Sequence, residues 1–271
     1  ESESGASTDG PRISTERFHW LCSYSDAQLE FPERFVLAMF EDGRRAAAEH
    51  GCLFDVLPRH RAVLSKTSTV VMIEPVTGTS CSTLEANVTT AAPNEPTRNA
   101  ATHRSIEPSI IINATGAWGD RTLESLGVHE RQLFAGTKGS HLFTTYAPLI
   151  KALNGSGIYS EAHDGRLVFI LPCAAGVLIG TTDDPYSGDP GEAVSTPADV
   201  DYLVRMVNEV FPGVALTADH VDMHHAGVRP LPTSDSSSAA AIPRGHSIEE
   251  SALNGIPVLT LVGGKLTTCR T

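Results

Sequence analysis

Two spacings of apolar residues organise this chain. Val200, Leu203, Val204, Val207 and Phe211 recur at three- and four-residue steps, the stripe of an α-helix over Pro197 to Phe211. Thr196 stands where an N-cap belongs, Pro197 takes the first helical position, and Asp199 lies at the positive helix end. A second helix is predicted from Pro32 to Gly51, where Phe35, Val36, Met39, Phe40, Ala46 and Ala47 sit at mixed helical spacing between a proline and a glycine. Elsewhere the pattern is that of strands. "CLFDVL", "RAVLSK" and "STVVMIE" are short β-like runs, and Ile110 to Ile112 in "SIIINATGAWGD" form a dense apolar strand that ends in small residues. "SHLFTTY" reads as a strand, "IYSEAHDGRLVFILP" as a hairpin around Asp164-Gly165, and "GVLIGTT" as the next strand of one antiparallel meander. "HVDMHHAGVRPLP" leads back out of that sheet, and "IPVLTLVGG" is another buried strand. Residues 77–105 are polar and predict a long exposed loop, and "ESESGASTDGPRIST" predicts a mobile tail.

Composition narrows what such a chain does. The 271 residues are enough for one large or two smaller domains, and the apolar share of 41% is that of an ordinary globular protein. A net charge of -12 leaves no basic surplus for nucleic acid, although a local pocket of Arg and Lys still suits a small anion. No apolar run approaches the ~20 residues of a membrane span. The cysteines at 22, 52, 81, 173 and 269 form no CxxC pair, so neither a zinc site nor a disulfide framework is signalled. Reduced thiols in a cytoplasmic protein are the simplest reading, and the sequons at Asn87, Asn113 and Asn154 are chance matches.

Candidate chemistry collects where apolar strands meet small residues and then a polar group: "SIIINATGAWGD", "HHAGVRPL" and "LTLVGGKLTT". Each would place backbone amides at the carboxyl end of a strand, where open α/β sheets collect ligands. Any one alone is more often an ordinary turn; the three together point to a site. Lys265 to Thr268 resembles the first turn of a helix, whose N–H groups favour an anionic or electron-rich partner. Arg229 precedes Pro230, which restricts it to extended backbone and so aims its side chain. Its guanidinium could fork onto a phosphate or carboxylate, and Arg244 in "AIPRGH" carries the same reading with weaker local support. His141 follows "TKGS" at the mouth of a strand, a place where histidines are more often structural than catalytic. His224 and His225 are neighbours on a strand and face opposite ways, which argues against a shared metal. The acidic loop "TTDDPYSGD" lacks an EF-hand pattern and reads as a solvated turn rather than a calcium site.

In this order the stretches "YSDAQL", "IINATGAWGD", "KGSHL", "GRLVFILP", "LIGTTDDPYSGDP", "DYLVRMVNEVF", "GVRPL" and "VGGKLTTCR" resemble the FAD-dependent glycerol-3-phosphate dehydrogenases, within the broader D-amino-acid-oxidase-like family. The likeness runs from about Tyr24 to Arg270; "NATG" is shared by many flavoproteins, whereas "KGSH", "GTTD", "GVRPL" and "GGKLTT" are specific. It implies a mixed α/β fold: a discontinuous, incomplete Rossmann-like FAD-binding domain over 18–131 and 220–271, and a substrate domain of antiparallel sheet with helices over 132–219.

The resemblance implies oxidation of sn-glycerol 3-phosphate to dihydroxyacetone phosphate, hydride passing to FAD and electrons onward to quinone or oxygen. Ala114, Thr115, Gly116, Trp118, Gly263, Gly264, Lys265, Leu266 and Thr267 would then contact FAD. Arg229 and Arg244 would clamp the phosphate, Lys265 would stabilise charge on the reduced flavin, His141 would take the hydroxyl proton, and Thr182 would wall the pocket. No metal is implied; a homodimer and a peripheral contact with the inner membrane face are. Family members open with a strand–GxGxxG–helix, a motif that does not occur in this sequence. The expectation is therefore a fragment that binds FAD poorly and is inactive alone. Two alternatives stay open: a flavin-dependent amine or amino-acid oxidase of the same fold, and a non-catalytic remnant that binds a phosphometabolite.

Overall fold

The computed structural model describes residues 10–29, 31–64, 70–76, 104–128, 131–233 and 245–266. Along the chain lie α1 (Pro32–Glu49), β1 (His60–Leu64), β2 (Val71–Pro75), β3 (Arg104–Ile106), β4 (Ile111–Asn113), α2 (Gly119–Ser125) and β5 (Phe134–Thr144). There follow α3 (Ala147–Leu153), β6 (Ile158–Glu161), β7 (Leu167–Cys173), β8 (Gly176–Gly180), β9 (Asp184–Pro185) and α4 (Pro197–Val210). The described part ends with β10 (Met223–Pro232), β11 (His246–Leu253) and β12 (Ile256–Gly263).

The central sheet has the order β10-β5-β8-β7-β6 and is antiparallel throughout, with β9 pairing to β5. Period-2 alternation gives it two unlike faces. One face turns Leu142, Val168, Ile170, Val177, Ile179 and Ile158 onto α3 and α4, where Leu149, Leu153, Leu203, Met206, Val207 and Phe211 complete the main core. α4 begins at the expected residue. The Thr196 side chain accepts from Asp199 N, and the Asp199 carboxylate accepts from Thr196 N, a reciprocal capping box. The same carboxylate takes Lys138 Nζ of β5 at 2.7 Å, which ties helix to sheet. Burial pushes Asp199 up, but Lys138 and the Thr196 donors outweigh it and hold the group below the usual carboxylate range.

A second sheet, β11-β12-β4, pairs β12 antiparallel with β11 and parallel with β4. Val258 and Leu253 pack against Leu123 and Leu126 from α2 and its end. The β11–β12 turn is Asn254-Gly255, both at positive φ (50° and 88°), the geometry of a type I′ hairpin. A third sheet, β1-β2-β3, is antiparallel.

Several expectations change against this frame. "CLFDVL" forms no strand, being exposed and followed by Pro58. β11 was not foreseen. The strand carrying Arg229 pairs with β5 over all ten residues of β10 instead of leaving the sheet. The opening segment is not a free tail from residue 10 on: Ser14 N donates to Val210 O at 2.8 Å, and Ile13 and Phe18 pack on the main core. α1 forms as predicted but buries none of its residues among those described. Of the expected loop at 77–105, residues 77–103 lie outside the described residues.

Leu203 is fully buried, so Leu203→Ala is expected to cost about 2–5 kcal/mol. Thr196→Ala, which removes only the cap, is expected to cost about 1 kcal/mol. Urea unfolding of both variants checks the ranking; a Thr196→Ala loss equal to that of Leu203→Ala contradicts it.

Candidate functional site

The face of the central sheet turned away from α3 and α4 carries one continuous row. Tyr159 pairs with Phe169, Phe169 with Gly180, Gly180 with His141, and His141 with His225, so five strands contribute one position each. The rings touch in sequence. Tyr159 and Phe169 lie 6.0 Å apart, Phe169 and His141 5.7 Å, and the His141 and His225 rings stack at 5.0 Å, 12° from parallel. Gly180 makes the row continuous, because a Cβ there would fall 2.4 Å from His141 Cδ2 and 2.9 Å from Phe169 Cζ.

Four residues along β5 and β10 from the His141–His225 pair, Thr137 stands opposite Arg229, with Gly139 opposite Gly227 in between. The Arg229 guanidinium lies over Gly139, where a Cβ would meet Nη2 at 2.2 Å and Cζ at 2.6 Å. Arg229 Nη1 donates to Asp183 Oδ1 at 3.0 Å and Nη2 donates to Thr181 Oγ1 at 2.8 Å, with both near the Thr182 carbonyl at 3.4 Å. A fixed cation and an imidazole therefore share one face, spaced by glycines that leave room above the backbone.

Burial, reinforced by the charges of His225 and Arg229, pushes His141 down to about 4. The ring is accordingly neutral at physiological pH. Its Nδ1 and the Thr137 Oγ1 are buried without a hydrogen-bond partner among the described residues, both on the site face of β5.

The second cluster sits where β4 and β12 run parallel. Thr260 pairs with Asn113, so the turn Ala114-Thr115-Gly116 and the segment Gly263-Gly264-Lys265-Leu266 leave the same end of the sheet. Asn113 braces it: its Nδ2 donates to Gly119 O at 3.0 Å, and its Oδ1 accepts from Thr115 Oγ1 at 2.7 Å. Gly263 and Gly264 both have positive φ, 74° and 86°, and a Cβ on Gly263 would meet Gly245 O at 2.5 Å. Ala114, Thr115, Trp118, Gly264, Lys265 and Leu266 are exposed. The two clusters meet through β10, since the Gly116 turn faces Pro230, next to Arg229.

The structure thus brings His141 and Arg229 together, and separately gathers Ala114, Thr115, Gly116 and Trp118 with Gly263 to Leu266. Thr182 is placed differently from expectation: its hydroxyl is buried, accepting from Ser140 N at 2.9 Å, and it meets Arg229 through its carbonyl. Thr181 presents the hydroxyl instead. Arg244 and Thr267 lie outside the described residues. The acidic loop is not merely solvated. Asp183 holds Arg229, Asp184 holds Arg166 at 3.1 Å, and Asp189 holds Arg121 at 2.5 Å. Among the described residues no cluster of His, Cys, Asp or Glu is arranged to bind a metal. Sequence reasoning missed Asp183, Thr181, Gly139 and His225. A glycine inside the strand "KGSHL" and the acid that follows the threonine pair in "LIGTTDD" were the available signals.

The "FAD dependent oxidoreductase" family matches residues 22–268. A glycerol-3-phosphate dehydrogenase of Synechocystis is 36% identical over 171 residues, 60% of this chain and 30% of that protein. An alpha-glycerophosphate oxidase of Enterococcus casseliflavus is 36% identical over 135 residues, 49% of this chain and 22% of that protein. The chain thus spans under a third of the length of these curated relatives. The fold is similar to that of the FAD-complexed glycerol-3-phosphate dehydrogenase of Bacillus halodurans, with a TM-score of 0.57, 24% identity, and 82% of this chain matched to 37% of that one.

The His141 position predicts its titration. Because its folded pKa lies below the ordinary 6.5, the fold favours the neutral ring. That contribution to stability is fully present above about 6.5 and is lost as pH falls toward about 4. NMR titration of the His141 ring protons is expected to give a midpoint near 4; a midpoint near 6.5 contradicts the burial described here.

Proposed function

This chain belongs to the FAD-dependent oxidoreductase family, and from that premise we propose that it forms the substrate side, and part of the flavin side, of an enzyme that oxidises sn-glycerol 3-phosphate to dihydroxyacetone phosphate. The observation that carries the reading is the shared sheet face, on which a fixed guanidinium, Arg229, stands one glycine row from a neutral imidazole, His141. A phosphate ester of a secondary alcohol asks for that pair: a cation with fork geometry for the phosphate and an unprotonated base for the hydroxyl. The names of the curated relatives support the same substrate.

Oxidising a carbinol carbon removes one hydrogen with two electrons from carbon and one proton from oxygen. The hydroxyl proton goes to the His141 imidazole, which burial keeps available to accept it. Arg229 binds the phosphate and sets the distance of the carbinol from His141. FAD, when bound, takes up the hydride equivalent. The exposed turns at Ala114-Thr115-Gly116 and Gly263-Gly264, with Lys265 and Trp118 beside them, fit a flat anion-prone ring: they combine positive-φ glycines, small side chains and a cation at the carboxyl ends of parallel strands. We assign these turns to a flavin-binding part and the central sheet to a substrate part, with Arg244 as a second phosphate contact. Electrons pass on to oxygen or to quinone, the latter at the inner membrane face, and a homodimer fits the same reading. Among the described residues no helix is long and apolar enough to cross a membrane.

In flavin-loaded protein, glycerol 3-phosphate is expected to bleach the flavin absorbance, while glycine and sarcosine leave it unchanged; bleaching by the amines alone overturns the substrate assignment in favour of an amine oxidase. Arg229→Ala is expected to weaken glycerol 3-phosphate binding about 10- to 100-fold, the worth of one charge-assisted hydrogen bond pair, with Arg229→Lys failing to restore it. Unchanged KM in Arg229→Ala sinks the phosphate role.

A further inference from the structure

We propose that Asp183 is the positioning residue of this site, fixing the direction in which Arg229 faces a phosphate-bearing ligand; the inference rests on the role given to Arg229 above. Arginine carries a long side chain whose freedom must be surrendered when it binds a ligand. Here that surrender has already happened. Asp183 Oδ1 accepts from Nη1 and Thr181 Oγ1 accepts from Nη2, so two different nitrogens of the planar group are held and its plane is set over Gly139. Both partners are half-buried, with side-chain exposures of 27% for Arg229 and 17% for Asp183, where a charge-assisted hydrogen bond is stronger than at an exposed surface.

The residues on either side of Asp183 are anchored. On one side of it, the Thr182 hydroxyl accepts from Ser140 N at 2.9 Å, pinning the loop to β5. On the other side, Asp184 pairs with Lys138 in the β9–β5 ladder and takes Arg166 Nη1 at 3.1 Å. Asp183 therefore works as a rigid post between two anchored residues. Its negative charge also opposes the approach of an anion, so positioning and repulsion act in opposite directions on affinity. We infer that positioning prevails. A guanidinium already held in one orientation spares the ligand the ordering cost.

The test uses the complete chain with ¹⁵N-labelled arginine, the Arg229 signals being identified by their loss in Arg229→Lys. Restricted rotation is expected to give separate Nη proton signals in the wild type, merging in Asp183→Ala. In parallel, calorimetry with glycerol 3-phosphate is expected to show about tenfold weaker binding for Asp183→Ala, the loss of one hydrogen bond to a charged group. Asp183→Asn, which keeps an acceptor without the charge, should fall between them. It also carries the test if Asp183→Ala fails to fold. Glycerol, lacking the phosphate, should not discriminate among the three proteins, a selectivity that a merely structural role would not produce. Arg229 signals unchanged in Asp183→Ala, or glycerol 3-phosphate binding that is unchanged or tighter, overturns the proposal. If the wild type binds no glycerol 3-phosphate but Asp183→Ala still frees Arg229, the positioning role stands and the substrate reading falls.

Discussion

Everything proposed for this chain depends on the central sheet having one face sealed and one face open. Leu142, Ile170 and Ile179 are fully buried against α3 and α4, and strand geometry then forces their neighbours His141, Phe169 and Gly180 to the opposite side. A shift of register by a single residue would bury His141 and expose Leu142. The main core thus does more than stabilise the fold: it fixes which side chains reach the site. The Lys138–Asp199 pair adds to the same constraint by fastening α4, whose capping box uses the same carboxylate, to the strand that carries His141.

The glycines translate that constraint into chemistry. At Gly180 the missing side chain lets Phe169 and His141 approach across a strand, and at Gly139 it lets the Arg229 guanidinium lie on the backbone. The neighbours left by these gaps have complementary properties. His141 is enclosed enough to stay neutral, while Arg229 keeps its charge and gains a fixed orientation from Asp183 and Thr181. It is this pairing of a neutral imidazole with a held guanidinium on one wall that the proposed phosphorylated-alcohol substrate rests on.

Much of this was legible before any coordinates. The α4 stripe, its Thr196 cap and the β6–β7 hairpin follow from periodicity and turn chemistry, which act locally. Arg229, His141 and the two small-residue turns were singled out as candidates through their motifs. What stayed hidden depends on contacts between distant residues. Asp183 meets Arg229, 46 positions away, and Thr182 turns inward because its hydroxyl accepts from Ser140 N. The β11–β12 hairpin is a different case, since Asn254-Gly255 between apolar runs is a strong local signal that was simply passed over. The "CLFDVL" run shows the reverse error: apolar content suggested a strand, but the segment finds no strand partner.

The most direct test of the central claim is amide chemical-shift mapping of the complete chain titrated with glycerol 3-phosphate. The account predicts shifts confined to β5, β8 and β10 around Gly139, His141, Gly180 and Arg229, absent when glycerol replaces the phosphate ester. Shifts centred on the α3–α4 side of the sheet, or no saturable shifts on the open face, would contradict it.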